Sequence, residues 1–144
     1  MNMASGFAYA HNPSVSPLYD TRTNGFNYAL SQQIAAKPGE RFNYSDADAS
    51  ITGAVVASVA GEDLYAFARR ALFDPLQMFN HDWWLRDSAG RYPGGWGLRM
   101  RPMDMLKVGQ LYIQNGAWNN YKVFHPGYPA LAWAKGVSPR YGLH

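Results

Sequence analysis

In the stretch "PGERFNYSDADA", residues 38–49, a tyrosine, a serine and an aspartate stand together between a Pro-Gly turn and a long apolar run. Tyr44 carries a phenol, which has an unperturbed pKa of about 10 and is by itself a poor base near neutral pH. A phenol becomes useful when cationic neighbours stabilise its phenolate, or when it relays a proton from a serine held by a lysine. Ser45 and Asp46 carry the side-chain oxygens that cap helices. Two readings are open at this point. The group is a helix cap with an aromatic neighbour, or it is one third of an active site whose other parts lie elsewhere.

The other chemical candidates are poorer. His81 and Asp82 are adjacent, and sequence neighbours point in different directions. His11, His125 and His144 show no metal-ligand spacing, and there is no HExxH or CxxC, so no metal site is expected. The "GGWG" at 94–97 lacks the strand–GxGxxG–helix context of a phosphate cradle and reads as turn glycines. Neither Ser5 nor Ser45 sits in a GxSxG elbow. The chain has no cysteine, which removes disulfides and thiolate chemistry.

These residues need elements to hold them. Thr23 or Asn24 can cap a short helix that sets Phe26, Leu30 and Ile34 one turn apart, with "KPGE" ending it because proline cannot continue the ladder. Ser45 or Asp46 caps the next helix, "ADASITGAVVASVAG", which is small and apolar nearly all round and is expected to be buried, with Gly61 as its stop. Leu64, Phe67, Ala68, Ala71 and Leu72 recur at helical spacing up to Pro75, with Glu62 and Asp63 in the first turn. Between residues 79 and 101 the chain is Trp- and Gly-rich, with short strands expected around Trp83–Leu85 and Trp96–Met100. Pro102 suits a first helical position, and Met105, Val108 and Tyr112 continue that helix to a stop at Asn115-Gly116. From Ala117 onward the chain reads as Pro/Gly/aromatic loop.

At 144 residues the chain is one domain or a piece of one, and 47% hydrophobic with 16% charged residues describes an ordered globular chain. Its 5 Trp, 10 Tyr and 7 Phe suit a large core or a substrate groove. The net charge is +3, and Lys107, Lys122, Lys135 and Arg140 follow the last acidic residue, Asp104. They form no compact run, so nucleic acid is not an expected partner, and no apolar run is long enough to span a membrane.

The order of segments adds a resemblance. "MNMASGF", then "KPGERFNYSDADASITGAVVASVAGEDLYAFARRALFDPLQM", then "GGWGLRMRPMDMLKVGQLYIQNGAWNN" resembles the serine β-lactamase-related hydrolases. These include class C β-lactamases, D-alanyl-D-alanine carboxypeptidases, esterases and 6-aminohexanoate-dimer hydrolases. The resemblance implies an α+β fold of the β-lactamase/transpeptidase type, of which this chain is mainly the helical middle with short strands. It puts Tyr44 on the tyrosine of the family's Tyr-x-Asn motif, as a catalytic proton-transfer residue, and Ser45 on the variable middle position. Asp46 falls where the family has asparagine, and there it would orient substrate or a catalytic lysine. An asparagine amide donates hydrogen bonds, whereas an ionised carboxylate only accepts them.

No serine in the chain is followed three residues later by lysine, no Lys-Thr-Gly is present, and the edge strand that carries the family's Lys-Thr-Gly or His-x-Gly is expected beyond "PRYGLH". Against the family pattern, residues 1–144 are therefore expected to be a single partial domain, without the Ser-x-x-Lys helix and the C-terminal sheet strands. The implied reaction in an intact parent is attack of a serine on an amide or ester, followed by hydrolysis of the acyl-enzyme, with no cofactor. This chain alone is expected to be inactive. Ser45, Trp83, Trp84 and Trp96 are the expected substrate-binding residues, with core packing as the other reading of the tryptophans. The alternative function is a non-catalytic module whose aromatic groove takes cell-wall fragments or a protein partner. The resemblance suggests a periplasmic or extracellular location, leaves a cytoplasmic one open, and says nothing of oligomeric state.

Overall fold

A computed structural model describes residues 2–142 apart from 11, 13, 15 and 139. His11 and His144, considered above as metal ligands, lie outside the described residues. After a 3-10 turn at Pro17–Tyr19 come α1 (Gly25–Leu30), α2 (Asp46–Ala60) and α3 (Leu64–Ala68), which runs on as a π-helical turn, Arg69–Phe73. Then follow β1 (His81–Trp83), β2 (Leu98–Met100), α4 (Pro102–Ile113), β3 (Ala117–Trp118), β4 (Tyr121–Lys122) and α5 (Tyr128–Trp133). β1 and β2 pair antiparallel with Asp82 opposite Arg99, and β3 and β4 form a second, two-residue ribbon. The result is α+β, with helices dominant.

Local signals explain most element ends. The side chain of Asn24 accepts from the Asn27 amide and starts α1. Ser45 caps α2, and Gly61 ends it in the left-handed region at φ 68°. Asp63 accepts from the Ala66 amide and starts α3. Pro102 opens α4, and Asn115 and Gly116 close it at φ 53° and 83°.

Four expectations need correction. α1 stops at Leu30 rather than at "KPGE", because the Ser31 hydroxyl and the Gln32 side-chain Nε2 both donate to the Tyr28 carbonyl and close the last turn. Ile34 then bridges to Phe7 instead of extending the helical face. α2 is buried only over its first turns, at Asp46, Ala47, Asp48, Ser50 and Gly53, while Val59 is 84% exposed. The first hairpin strand begins two residues earlier than expected, at His81. Residues after Ala117 are not all loop: Asn119 and Asn120 both take positive φ and turn β3 into β4, a conformation asparagine tolerates. Pro129 then lies in the first turn of α5.

Two apolar clusters hold these elements. Tyr9, Leu18, Ala29 and Ala47 gather under the start of α2, with Tyr19, Tyr28, Ile51 and Trp96 packed around them. Phe73, Leu76, Met78 and Leu111 form the second, covered by residues from the hairpins and α4 such as Leu98, Val108 and Phe124. Each large side chain buried in this way contributes about 1.5–3 kcal/mol. No single helix among the described residues is long and apolar enough to cross a membrane.

Candidate functional site

Ser45 is extended (φ −145°, ψ 112°), and its Oγ accepts from the Asp48 amide at 3.2 Å, which fixes where α2 begins. That geometry places Asp46 on the first helical position with only 5% exposure. Its carboxylate accepts a hydrogen bond from the Tyr19 hydroxyl, and its backbone carbonyl accepts from Ser50 Oγ at 2.8 Å. Burial, and then the bond to Asp46, pushes the Tyr19 phenol well above its ordinary pKa, so Tyr19 is a neutral donor. Asp48, one step further in, accepts from Ser5 Oγ at 2.7 Å, while its Oδ2 is buried with no hydrogen-bond partner among the described residues. The start of α2 thus carries two buried carboxylates held by hydroxyl groups.

Alongside α2 runs a cleft of about 450 Å³. Tyr44, Asp46, Ala49, Thr52, Gly53 and Val56 line one side of it. Met3, Leu64, Trp83, Gly94, Gly95, Tyr128 and Tyr141 supply the rest. Its size lies within the usual range for small-molecule sites, roughly 300–1,000 Å³. Glycine is needed at position 94, because a Cβ there would run into the Ala49 carbonyl oxygen. Gly94 therefore lets the Trp-rich connection lie directly on α2. Tyr141 stands edge-on to Tyr44, with ring centroids 6.2 Å apart, and packs on Phe42. Burial, with Tyr44 and Asp46 adding to it, raises the Tyr141 pKa.

The structure brings three of the sequence-predicted site residues together in this cleft and separates the others. Tyr44 is 44% exposed at the N-terminal end of α2, Asp46 is beside it, and Trp83 lines the cleft while donating from Nε1 to the Trp96 carbonyl at 2.9 Å. Ser45, expected to touch substrate, is 1% exposed with its hydroxyl committed to the helix cap. Trp84, also expected to bind substrate, is 53% exposed outside the cleft, under the Arg99 guanidinium. Trp96 packs 4.7 Å from Tyr19 and lines a separate space of about 30 Å³, on the scale of water molecules. Trp96 also packs against the first apolar cluster.

His81 and Asp82 do diverge. His81 Nδ1 meets the Tyr65 hydroxyl at 2.9 Å, whereas Asp82 lies toward Arg99. No group of three or more metal-ligating side chains occurs among the described residues. Sequence reasoning missed Tyr19, Asp48, Met3, Tyr128 and Tyr141. Only Asp48 had a readable signal, its place three residues after a capping serine.

The Beta-lactamase family model matches residues 1–130. Among solved structures, a candidate β-lactamase from Bacteroides dorei DSM 17855 superposes with a TM-score of 0.75 at 21% identity, covering 96% of this chain and 42% of its own. A candidate 6-aminohexanoate-dimer hydrolase from Bacillus anthracis gives a TM-score of 0.69 at 16% identity, covering 87% and 36%. An octameric penicillin-binding protein homologue from Pyrococcus abyssi gives 0.60 at 20% identity, covering 80% and 31%. The chain therefore spans less than half the length of each of these structures. No curated protein matches it. The match over residues 1–130, with the shared α+β architecture, establishes that this chain belongs to the beta-lactamase family.

Proposed function

We propose that this chain is the tyrosine-bearing segment of a serine hydrolase that cleaves an amide or ester through an acyl-enzyme. The nucleophilic serine and its lysine come from outside these 144 residues. The observation that carries this reading is the pairing of Tyr44 and Asp46 at one end of a substrate-sized cleft. Tyr44 takes the nucleophile's proton as the acyl bond forms and returns it to the leaving group. Asp46, steadied by Tyr19, orients an incoming donor, either the lysine or a polar hydrogen of the substrate. Trp83 walls the acyl side.

The serines around this cleft support an external nucleophile. Ser5 Oγ donates to Asp48, Ser45 Oγ caps α2 and Ser50 Oγ donates to the Asp46 carbonyl. Each has a structural bond, and none is followed by a lysine at the required spacing. By itself the chain should lack hydrolase activity.

The test is labelling by a fluorophosphonate, read by intact mass. The isolated chain should give no adduct. A chimera carrying residues 1–130 in place of the matching segment of the Bacteroides dorei relative should be labelled on one serine. Tyr44→Phe in that chimera should slow labelling by about a hundredfold or more, the usual worth of a positioned proton-transfer group. A stoichiometric adduct on the isolated chain would overturn the proposal. A second reading, a binding module without catalysis, is favoured by the aromatic lining of the cleft. It predicts ligand binding, with no labelling of the chimera.

A further inference from the structure

We propose that the small pocket on another face of α2, lined by Trp96 and Arg86, binds a short-chain aliphatic carboxylate, with the alkyl tail inside and the carboxylate on Arg86. This site shares no lining residue with the cleft, and the inference does not rest on the hydrolase reading.

The pocket is apolar at depth and cationic at its rim. Leu18, Ser50, Tyr92 and Pro93 are the buried part of the lining, whereas Thr21, Arg86 and Arg91 are exposed. The two hydroxyls at depth are already engaged. Ser50 Oγ donates to the Asp46 carbonyl at 2.8 Å, and the Tyr92 hydroxyl accepts from Arg86. A buried water needs about 2–4 polar partners, so water gains little here and an alkyl group loses nothing. The free space is about 30 Å³. A water-sized group takes roughly 10–15 Å³ of such space, which leaves room for about two or three of them, the length of an ethyl or propyl tail.

The charges at the rim select the head group. Both acids that line the pocket are matched. Asp20 is held by Arg22, with Nη2 at 2.7 Å, and Asp87 accepts from the amides of Gly25, Ala89 and Arg91, with the Arg91 guanidinium 3.9 Å away. Arg86 is different. Its guanidinium carbon lies 4.2 Å from the centroid of the Tyr92 ring, and no carboxylate among the described residues pairs with it. A guanidinium presents a planar fork of donors that matches a carboxylate, and one bond to Tyr92 leaves most of that fork for a ligand. Stacking on Tyr92 also orders the side chain beforehand, which lowers the cost of binding. The ring of Tyr19 forms part of the wall while its hydroxyl holds Asp46, so an occupant would touch a residue that reaches the cleft.

The 144-residue chain, labelled with 15N, would be titrated with butyrate, butan-1-ol and butylammonium. The amides of Ala54, Leu85 and Tyr92 report on the pocket, and those of Val56, Leu64 and Tyr128 on the cleft. Butyrate should shift the pocket amides saturably and bind about tenfold or more tightly than butan-1-ol, because its hydrogen bonds to Arg86 are charge-assisted. Butylammonium should produce no saturable shift. Arg86→Gln, at an exposed side chain, should erase the preference for the acid over the alcohol. Ala54→Leu should fill the pocket and abolish binding of both. If a variant does not fold, the comparison of the three probes on the native chain decides alone.

Absence of saturable butyrate binding, equal binding of acid and alcohol, or binding of butylammonium at the pocket would overturn the proposal. So would a preference that survives Arg86→Gln, butyrate binding that survives Ala54→Leu, or butyrate shifts that fall on the cleft amides instead.

Discussion

The starts of α2 and α4 face the same physical problem and solve it differently. Each places an acid in its first turn and buries it. Asp104 on α4 is 0% exposed, with Arg101 Nε at 2.9 Å and Lys107 Nζ at 3.3 Å. Lys107 also donates to the Gln77 carbonyl at 2.7 Å, tying α4 to the loop that closes the second apolar cluster. The acids of α2 instead accept from tyrosine and serine hydroxyls and stand beside a cleft. Full charge pairing makes a clamp. Hydroxyl donors fix a carboxylate by neutral hydrogen bonds rather than by charge pairing. The same residue type in the first helical turn is thus clamped by cations in one region and stands beside a cleft in the other.

The largest effect is expected in the clamped region. Leu111→Ala, at a side chain with no exposure in the second cluster, should cost about 3 kcal/mol in urea unfolding and leave the chemistry of the cleft unchanged in whatever fraction stays folded. Gly94→Ala attacks the other region. Its Cβ meets the Ala49 carbonyl, so the connection must lift from α2, at a cost of about 2 kcal/mol. Unlike the leucine change, it should also distort the cleft and slow fluorophosphonate labelling of the chimera. If both variants affect stability alone, the division between scaffold and site is wrong.

A smaller change sharpens the assignment of Ser45. Removing its cap with Ser45→Ala should cost about 1 kcal/mol, measured by thermal unfolding. Labelling of the folded chimera carrying this change should persist, since the hydroxyl serves the helix and not the cleft. Slower labelling at unchanged stability would restore Ser45 to the site.

The finest distinction is in pH dependence. The hydrogen bond from Arg101, with Lys107 assisting, holds the Asp104 carboxyl below its ordinary range despite its burial. A depressed pKa means the folded state releases this proton more readily than the unfolded chain does. The stability it contributes is present above the unfolded value, about 3.9, and is lost as pH falls through the folded value. Asp104→Asn should therefore flatten the acid limb of a stability-against-pH curve, as followed by circular dichroism. An unchanged acid limb would mean that the clamp is not electrostatic.

What could be read in the sequence was local. A capping serine, a left-handed glycine and a proline at a first helical position act within one turn, so Ser45, Gly61 and Pro102 marked their helices correctly. The ordered set of segments also carried the family, because it spans nearly the whole chain. The α5 helix was hidden by its proline and aromatic composition, and the β3–β4 turn by a pair of asparagines that only the backbone revealed as left-handed.

The sequence by itself determined where the helices begin, which family the chain belongs to, and that Tyr44 and Asp46 would stand together at a helix start. Tertiary structure alone decided which tryptophan faces a cleft, because Trp83 and Trp84 are neighbours in the chain and differ only in the side of the hairpin they occupy. It also decided that Met3, Tyr128 and Tyr141 would complete the walls, and that a tyrosine 27 residues away would hold Asp46. Such contacts depend on the packing of segments distant in sequence, and no spacing rule along the chain encodes them.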